Sequence, residues 1–171
     1  MGIEQRPKVV DERTRLGDLE VDLMVGKAHK SALLVITDRA TLLTGLKKMT
    51  SFYADLTERA IEQGLARIPK AFIKTLTVDN DKAFANHESI GSKLNADVYF
   101  TRPYTSQDKG TVENRIGVLR QFLPKGTDLR EVSAQQIKTI ECHLNNRPIR
   151  KFDYLSPIQQ TLKHRAVALV T

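Results

Sequence analysis

Two short strand-like runs separated by only five residues constrain the fold of this chain more than any other feature. In residues 18–25, apolar side chains alternate with more polar ones, which is the pattern of a strand with one polar face. Residues 31–37 form a second strand-like run, rich in leucine and β-branched residues. A connection this short joins antiparallel neighbours. With a third candidate strand at 41–47, the first part of the chain predicts an antiparallel meander.

The pattern then changes to alternating helices and strands. An apolar stripe with helical spacing runs over residues 55–68 and stops at Pro69, and residues 71–78 form the next strand-like run. A strand, a helix and a strand in that order indicate a right-handed crossover to a parallel neighbour. A weaker helix at 87–94 and a short strand at 98–101 follow. The sequence therefore predicts an α/β domain with a mixed five-stranded sheet, three strands antiparallel and then two parallel, flanked by helices.

The remainder of the chain is predicted to be helical. Apolar residues recur at spacings of three and four over residues 112–123, which is the stripe of an amphipathic helix. Ser133 and Gln136 have the form of a capping box at the start of a second helix, and a short final helix is expected over residues 158–165.

These elements divide the chain into three parts. We expect residues 1–16 to be a polar lead-in without regular structure, residues 17–165 to form the folded core and residues 166–171 to be a tail. Regular structure is expected to begin near Asp18.

The net charge of +7 fits either a polyanionic partner or a solvated, lysine-rich surface, and its distribution is uneven. Residues 101–171 carry 12 basic and 6 acidic side chains, whereas the first 100 residues are nearly neutral. The longest apolar run spans residues 32–36 and is too short to cross a membrane. The single cysteine, Cys142, and the lack of a secretory signal favour a reducing, cytoplasmic environment.

Three acidic residues lie where a carboxylate is unfavourable or points into a crevice. Asp22 is inside a predicted strand, Asp79 ends the strand at 71–78, and Glu113 lies beside the apolar stripe of its helix. Converging carboxylates repel each other unless cations lie between them, and hard divalent ions prefer oxygen ligands. Each residue also has a purely structural explanation, as a partner of a neighbouring strand, a turn cap or a favourable first-turn helix residue.

Three blocks that contain these acids resemble a known family. Residues 17–23, 76–80 and 103–114 are similar to the integrase core domain of the acid-triad (DDE) transposases and retroviral integrases, above all the insertion-element transposases of the IS-thirty type. The 33 residues between Asp79 and Glu113 are also similar to the spacing of that subgroup. The family's usual tryptophan and glycine in the first block are replaced by Leu19 and Val21, and all three acids are retained.

The resemblance implies a fold, an activity and a site. The fold would be ribonuclease H-like, and the activity would be metal-dependent DNA cleavage at element ends followed by strand transfer. Asp22, Asp79 and Glu113 would bind two Mg²⁺ or Mn²⁺ ions. The partners would be element ends and target DNA, bound by a homo-oligomer in the cytoplasm and, while on DNA, at the bacterial nucleoid. Family members also carry an amino-terminal helix-turn-helix part, which residues 1–16 are too short to hold, so we expect an excised core or a truncated gene.

Other residues are candidates for contacts with DNA. Lys109, Arg115 and Arg120 surround the helix of Glu113 and are interpreted as phosphate-binding residues, with solvent exposure as the alternative. Tyr104 is a candidate for stacking on an unpaired base, or else an anchor of its loop.

Asp18 and Asp81 are rivals of the proposed acids for metal contact, and two other functions stay open. A ribonuclease H-like nuclease would hydrolyse DNA without joining strands. An inactive core would only bind nucleic acid or a partner protein.

Overall fold

A five-stranded mixed sheet forms the centre of the computed structural model, which describes residues 1–102 and 106–168. The strands are β1 (Asp18–Val25), β2 (Ala32–Asp38), β3 (Thr44–Met49), β4 (Thr75–Val78) and β5 (Asp97–Phe100). Their order across the sheet is β3-β2-β1-β4-β5. The first three strands pair in antiparallel fashion, and β4 and β5 add to β1 in parallel. The predicted mixed sheet is therefore confirmed.

Within the described ranges, six α-helices surround the sheet. They are α1 (Lys8–Glu12), α2 (Ala54–Leu65), α3 (His87–Leu94), α4 (Gly110–Leu119), α5 (Ala134–Asn146) and α6 (Pro157–Ala168). The capping box before α5 is present as predicted, since Ser133 and Gln136 exchange side-chain to backbone hydrogen bonds. The last helix begins at Pro157 and is longer than expected. No helix in the described ranges is long and apolar enough to cross a membrane.

The two faces of the sheet are covered by different helices, which gives three layers. Leu19, Val21 and Leu76 face one hydrophobic cluster, to which Ile61 of α2 and Ile90 of α3 contribute. On the other face, side chains of β1 and β2 pack against α4 and α5; this second cluster includes Met24, Leu33, Val35, Val112 and Leu144. Strand β2 is buried along its whole length because both of its faces are covered. Since the side chains of β1 alternate between faces, Asp22 lies on the α4 side with Met24.

The third strand begins three residues later than predicted. The carboxylate of Asp38 accepts hydrogen bonds from the backbone N–H groups of Ala40 and Thr41, which holds the turn after β2 closed. Leu42 has a positive φ of 62° and continues this turn. A strand can therefore begin only at Thr44. Tertiary capping of the turn, which the apolar pattern does not reveal, sets this boundary.

The expectation that regular structure begins near Asp18 is wrong. Helix α1 precedes it, and Val10 of that helix is fully buried. The amino group of Met1 donates to the carbonyl of Val98, and the N–H of Phe100 donates to the carbonyl of Met1. Long-range contacts with β5 thus order a segment that has too few apolar residues to show a period of its own.

Candidate active site

Two of the three predicted acids meet around a single lysine. Asp22 lies in β1, and Asp79 follows the end of β4, the parallel neighbour of β1. The Nζ atom of Lys109 lies 3.1 Å from Oδ1 of Asp22 and 3.2 Å from Oδ2 of Asp79. Only 5% of the Lys109 side chain is exposed, so this ammonium is largely withdrawn from water. The sheet therefore brings two carboxylates to one cation.

Glu113, the third acid, lies in the first turn of α4 and is half-buried. Burial and, next, the negative charge of Asp22 raise the pKa of the Glu113 carboxyl. Within residues 1–102 and 106–168, no three or more His, Cys, Asp or Glu side chains form a group that could hold a metal ion. Glu113 is thus within the electrostatic reach of Asp22, and its place in a metal-binding triad stays a prediction.

The Asp22 carboxylate is largely buried, and its ionised form is favoured by a nearby positive charge. Burial raises the pKa of the Asp22 carboxyl, while the positive charge of Lys109 and the N–H of Leu23 lower it in part. The charge of Asp79 acts in the same direction as burial. Two oxygen donors converging on a positive charge match the preference of Mg²⁺ and Mn²⁺ for carboxylate oxygen. The donor set of Asp22 and Asp79 therefore fits a divalent cation.

A buried acid that the sequence analysis missed holds the start of α4. The Glu20 side chain is 0% exposed. Its Oε2 atom accepts a hydrogen bond of 2.7 Å from the N–H of Val112, the residue before Glu113, and its Oε1 atom pairs with the guanidinium of Arg39. The available signal was the alternation of β1, which places Glu20 on the same face as Asp22.

Asp18 and Asp81, the other two candidates for metal contact, form hydrogen bonds with other parts of the protein. Asp18 is fully buried and accepts hydrogen bonds from Arg15 and from the hydroxyl of Thr75. Asp81 accepts from the N–H of Ala83 at 2.7 Å and caps a short 3₁₀ turn. These contacts explain both carboxylates structurally.

The predicted DNA contacts require correction for two basic residues. Lys109 binds the two acids as described above, so its ammonium is not free for a phosphate. Arg115 is 2% exposed and donates hydrogen bonds to the hydroxyl of Thr44 and the carbonyl of Leu144, which joins α4 to β3 and α5. Burial lowers the pKa of Arg115 to about 10. A guanidinium enclosed in this way cannot contact DNA.

Arg120 is half-buried and donates to the carbonyl of Val25 at 3.0 Å, at the end of β1. Its predicted contact with DNA stays a prediction. Tyr104 lies outside the described residues.

One cavity of the fold has none of Asp22, Asp79 and Glu113 among its lining residues. It has a volume of about 370 Å³ and lies between the start of β1 and β3, the end of α2 and helix α6; Gly17, Thr44, Leu65, Ile73 and Arg165 are among its lining residues. Asp22 and Asp79 instead lie toward the carboxyl ends of β1 and β4. Asp79, with 39% of its side chain exposed, is accessible to solvent.

Comparison with known proteins gives a consistent family of relatives, although no protein-family model matches the chain. The chain is 41% identical over 172 residues to the transposase for insertion sequence element IS4351 of Bacteroides fragilis. It is 33% identical over 159 residues to the transposase for IS1086 of Cupriavidus metallidurans and 28% identical over 167 residues to transposase InsI for IS30A of Escherichia coli. These alignments cover 99%, 93% and 98% of this chain and 52%, 47% and 43% of the relatives. The chain thus spans about half the length of the relatives that it matches.

A solved structure supports the fold. A chain of the simian T-cell lymphotropic virus intasome, determined in complex with PP2A regulatory subunit B56 gamma, matches with a TM-score of 0.71 and 14% identity. The match covers 85% of this chain and 54% of that chain. Together with the strand order, it identifies the fold as ribonuclease H-like.

Proposed function

Because the chain resembles the transposases of insertion sequence elements, IS30 elements among them, we propose that it is the catalytic core of a DNA transposase. The core would cut DNA at element ends and transfer the cut strand to target DNA. Its partners would be both DNA molecules and further copies of the same protein, since its relatives are transposases and its structural neighbour comes from an intasome.

One observation supports this proposal most directly. Asp22 and Asp79 come from adjacent parallel strands and converge on one positive charge, and α4, the helix that carries Glu113, packs on the face of β1 to which Asp22 belongs. We propose that Asp22 and Asp79 each bind Mg²⁺ or Mn²⁺ and that Glu113 completes the site for a pair of ions. When bound, such ions activate the attacking oxygen and stabilise the charge that develops on the phosphate.

The reaction needs no covalent intermediate with the protein. Water would attack a phosphodiester at the element end, and the departing 3′-oxygen would become a free 3′-hydroxyl. This hydroxyl would then attack a phosphodiester of the target, joining the strands and displacing the target's 3′-oxygen. The carboxylates supply negative charge that holds the cations, and the rigid sheet beneath them keeps Asp22 and Asp79 in place.

The test is to replace each acid by its amide. Asp22→Asn, Asp79→Asn and Glu113→Gln should each abolish Mn²⁺-dependent nicking of a supercoiled plasmid and joining of a labelled duplex, while circular dichroism stays unchanged. Asp81→Asn is the matched control, because Asp81 lies two residues from Asp79 and caps a turn. Full activity in any of the three variants would remove that residue from the site.

The reaction products and the binding of metal separate the alternatives. Nicking without joined DNA would indicate a nuclease of the same fold. Calorimetric titration with MnCl₂ that shows no binding, with DNA binding unchanged in all three variants, would identify an inactive binding core and overturn the proposal.

A further inference from the structure

The carboxylate of Glu20 is divided between two partners inside the protein. One oxygen accepts from the N–H of Val112 at 2.7 Å, and the other pairs with Nη1 of Arg39. Both side chains are buried, at 0% and 5% exposure. Removing a charge from water is unfavourable unless its bonding capacity is filled, so this arrangement requires both partners.

Arg39 also connects Glu20 to the amino-terminal segment. Its Nε atom donates to the carbonyl of Val10 at 3.1 Å, and Nη2 lies 3.3 Å from the carboxylate of Asp11. The backbone N–H of Arg39 donates to the carbonyl of Asp18 at 2.9 Å. The guanidinium is therefore fixed by α1 and β1 together, and it gives the Glu20 side chain a fixed direction.

The bond to Val112 has a specific position in α4. The first N–H groups of a helix have no partner within the helix, and an acidic group at that end is favourable. Lys109, the residue before α4, makes no side-chain capping bond of its own. Glu20 fills this role from β1, 92 positions earlier in the chain. A buried ion pair seldom adds net stability over an apolar pair, so the distinctive effect of Glu20 is where it places α4.

We propose that Glu20, oriented by Arg39, is a positioning residue that fixes the start of α4 on β1 and thereby places Glu113 beside Asp22. Val112 is adjacent to Glu113, and Glu20 is two residues from Asp22 on the same face of β1. This hydrogen bond thus joins β1, which carries Asp22, to the backbone of α4, which carries Glu113. This inference rests on the proposed function for its effect on metal binding, while the effect on α4 is independent of it.

The experiment compares Glu20→Gln with Asp18→Asn. Asp18 is the matched control because it is equally buried in β1 and is bound to Arg15 and Thr75, with no bond to α4. Amide hydrogen exchange, followed residue by residue by NMR, reports the Val112 N–H, and electron paramagnetic resonance reports Mn²⁺ binding. In Glu20→Gln we expect Val112 to exchange at least about tenfold faster relative to Leu34 in the sheet core, and Mn²⁺ affinity to fall about 10- to 100-fold.

Asp18→Asn should lower overall stability without either selective change. Arg39→Lys keeps a positive charge but has only one nitrogen to share among Glu20, Val10 and Asp11, so it should produce the same changes to a smaller degree. It provides the test if Glu20→Gln does not fold.

Unchanged Val112 exchange in Glu20→Gln, or equal losses in Asp18→Asn, would overturn the positioning role. A wild-type protein that binds no Mn²⁺ would overturn the proposed function instead, and Val112 exchange would still decide the role of Glu20.

Discussion

Lys109 stands between Asp22 and Asp79, where the proposed function requires a divalent ion. Its ammonium offsets the mutual repulsion of the two carboxylates, and it also competes with any metal for the same oxygens. We therefore expect Lys109→Met to bind Mn²⁺ at least about tenfold more tightly, because unit charges a few ångströms apart near a protein surface interact by a few kcal/mol and about 1.4 kcal/mol is a factor of ten. Without metal, the variant should melt at a lower temperature.

Calorimetric titration with MnCl₂ and thermal melts, with and without metal, measure both effects. The same substitution at the exposed Lys125 is the control. Weaker Mn²⁺ binding in Lys109→Met would show that the lysine assists the metal instead of opposing it.

Arg115 gives a prediction about stability. Arg115→Ala removes two buried hydrogen bonds and leaves a cavity between α4, β3 and α5. We expect the free energy of unfolding to fall by about 2–4 kcal/mol, measured by urea denaturation. Arg147→Ala, at an exposed position, should change it by less than about 0.5 kcal/mol. A loss of DNA affinity in Arg115→Ala without a loss of stability would contradict the buried placement.

The sequence indicates the environment of the acidic site residues better than that of the basic ones. A carboxylate within or directly after a buried strand is unusual, which singles out Asp22 and Asp79, and their role in binding metal stays a prediction. Lys109 and Arg115 were misplaced because a charged residue on a helix next to a loop gives no sign of burial. Their partners, Asp22 and Thr44, are 87 and 71 positions away in the chain. Only the assembled sheet reveals them.

Helices α2 and α3 are joined by a buried acceptor whose effect depends on pH. The carboxylate of Glu58 accepts from Lys93, Ser89 and Asn86, and these bonds lower its pKa to about 2. A lowered carboxyl pKa means that the folded state favours the ionised form. The resulting stability is complete above the ordinary value of 4.5 and disappears as the pH falls toward about 2.

Glu58→Gln should accordingly be less stable than wild type at pH 7 and converge with it as the pH approaches 2. Urea denaturation at pH 7, 4 and 2.5 measures this difference. Glu88→Gln changes an exposed acid of α3, and the difference between its free energy of unfolding and that of wild type should be the same at all three pH values. A constant gap between Glu58→Gln and wild type across this range would exclude ionisation as the cause.

Periodicity located the strands and the longer helices, and it failed for α1. A five-residue helix has little more than one turn, so no apolar stripe can repeat within it. Its position depends on Val10 entering the interior and on Arg39 binding the Val10 carbonyl. Short elements held by distant partners are therefore the part of this fold that local patterns do not predict.

The molecule as a whole carries its positive excess after residue 100, although two of those cations are buried. The basic side chains that are exposed in this part of the chain include Lys125, Arg147, Arg150 and Lys151. If this surface binds DNA phosphates, affinity for a random duplex should fall linearly with salt on logarithmic axes. Each neutralised phosphate contributes about 0.9 to that slope.

Replacing Arg147 and Arg150 together by alanine should reduce the slope by about two, measured by fluorescence anisotropy from 50 to about 200 mM salt. Lys74→Ala removes an exposed lysine just before β4, at the opposite end of that strand from Asp79, and should leave the slope unchanged. Equal slopes in all three proteins would place the DNA surface elsewhere.

The hydrogen bond from Val112 to Glu20 closes a loop of more than ninety residues, and this has a consequence for how the chain folds. Closing a long loop loses chain entropy, and contacts between distant residues slow folding. Asp22 can enter the β1–β2 hairpin early, whereas Asp79 needs the crossover to β4 and Glu113 needs α4 to dock. Asp22 and Asp79 thus come together only when β4 pairs with β1, so a chain that has formed only the β1–β2 hairpin would lack the pair of carboxylates that Lys109 joins.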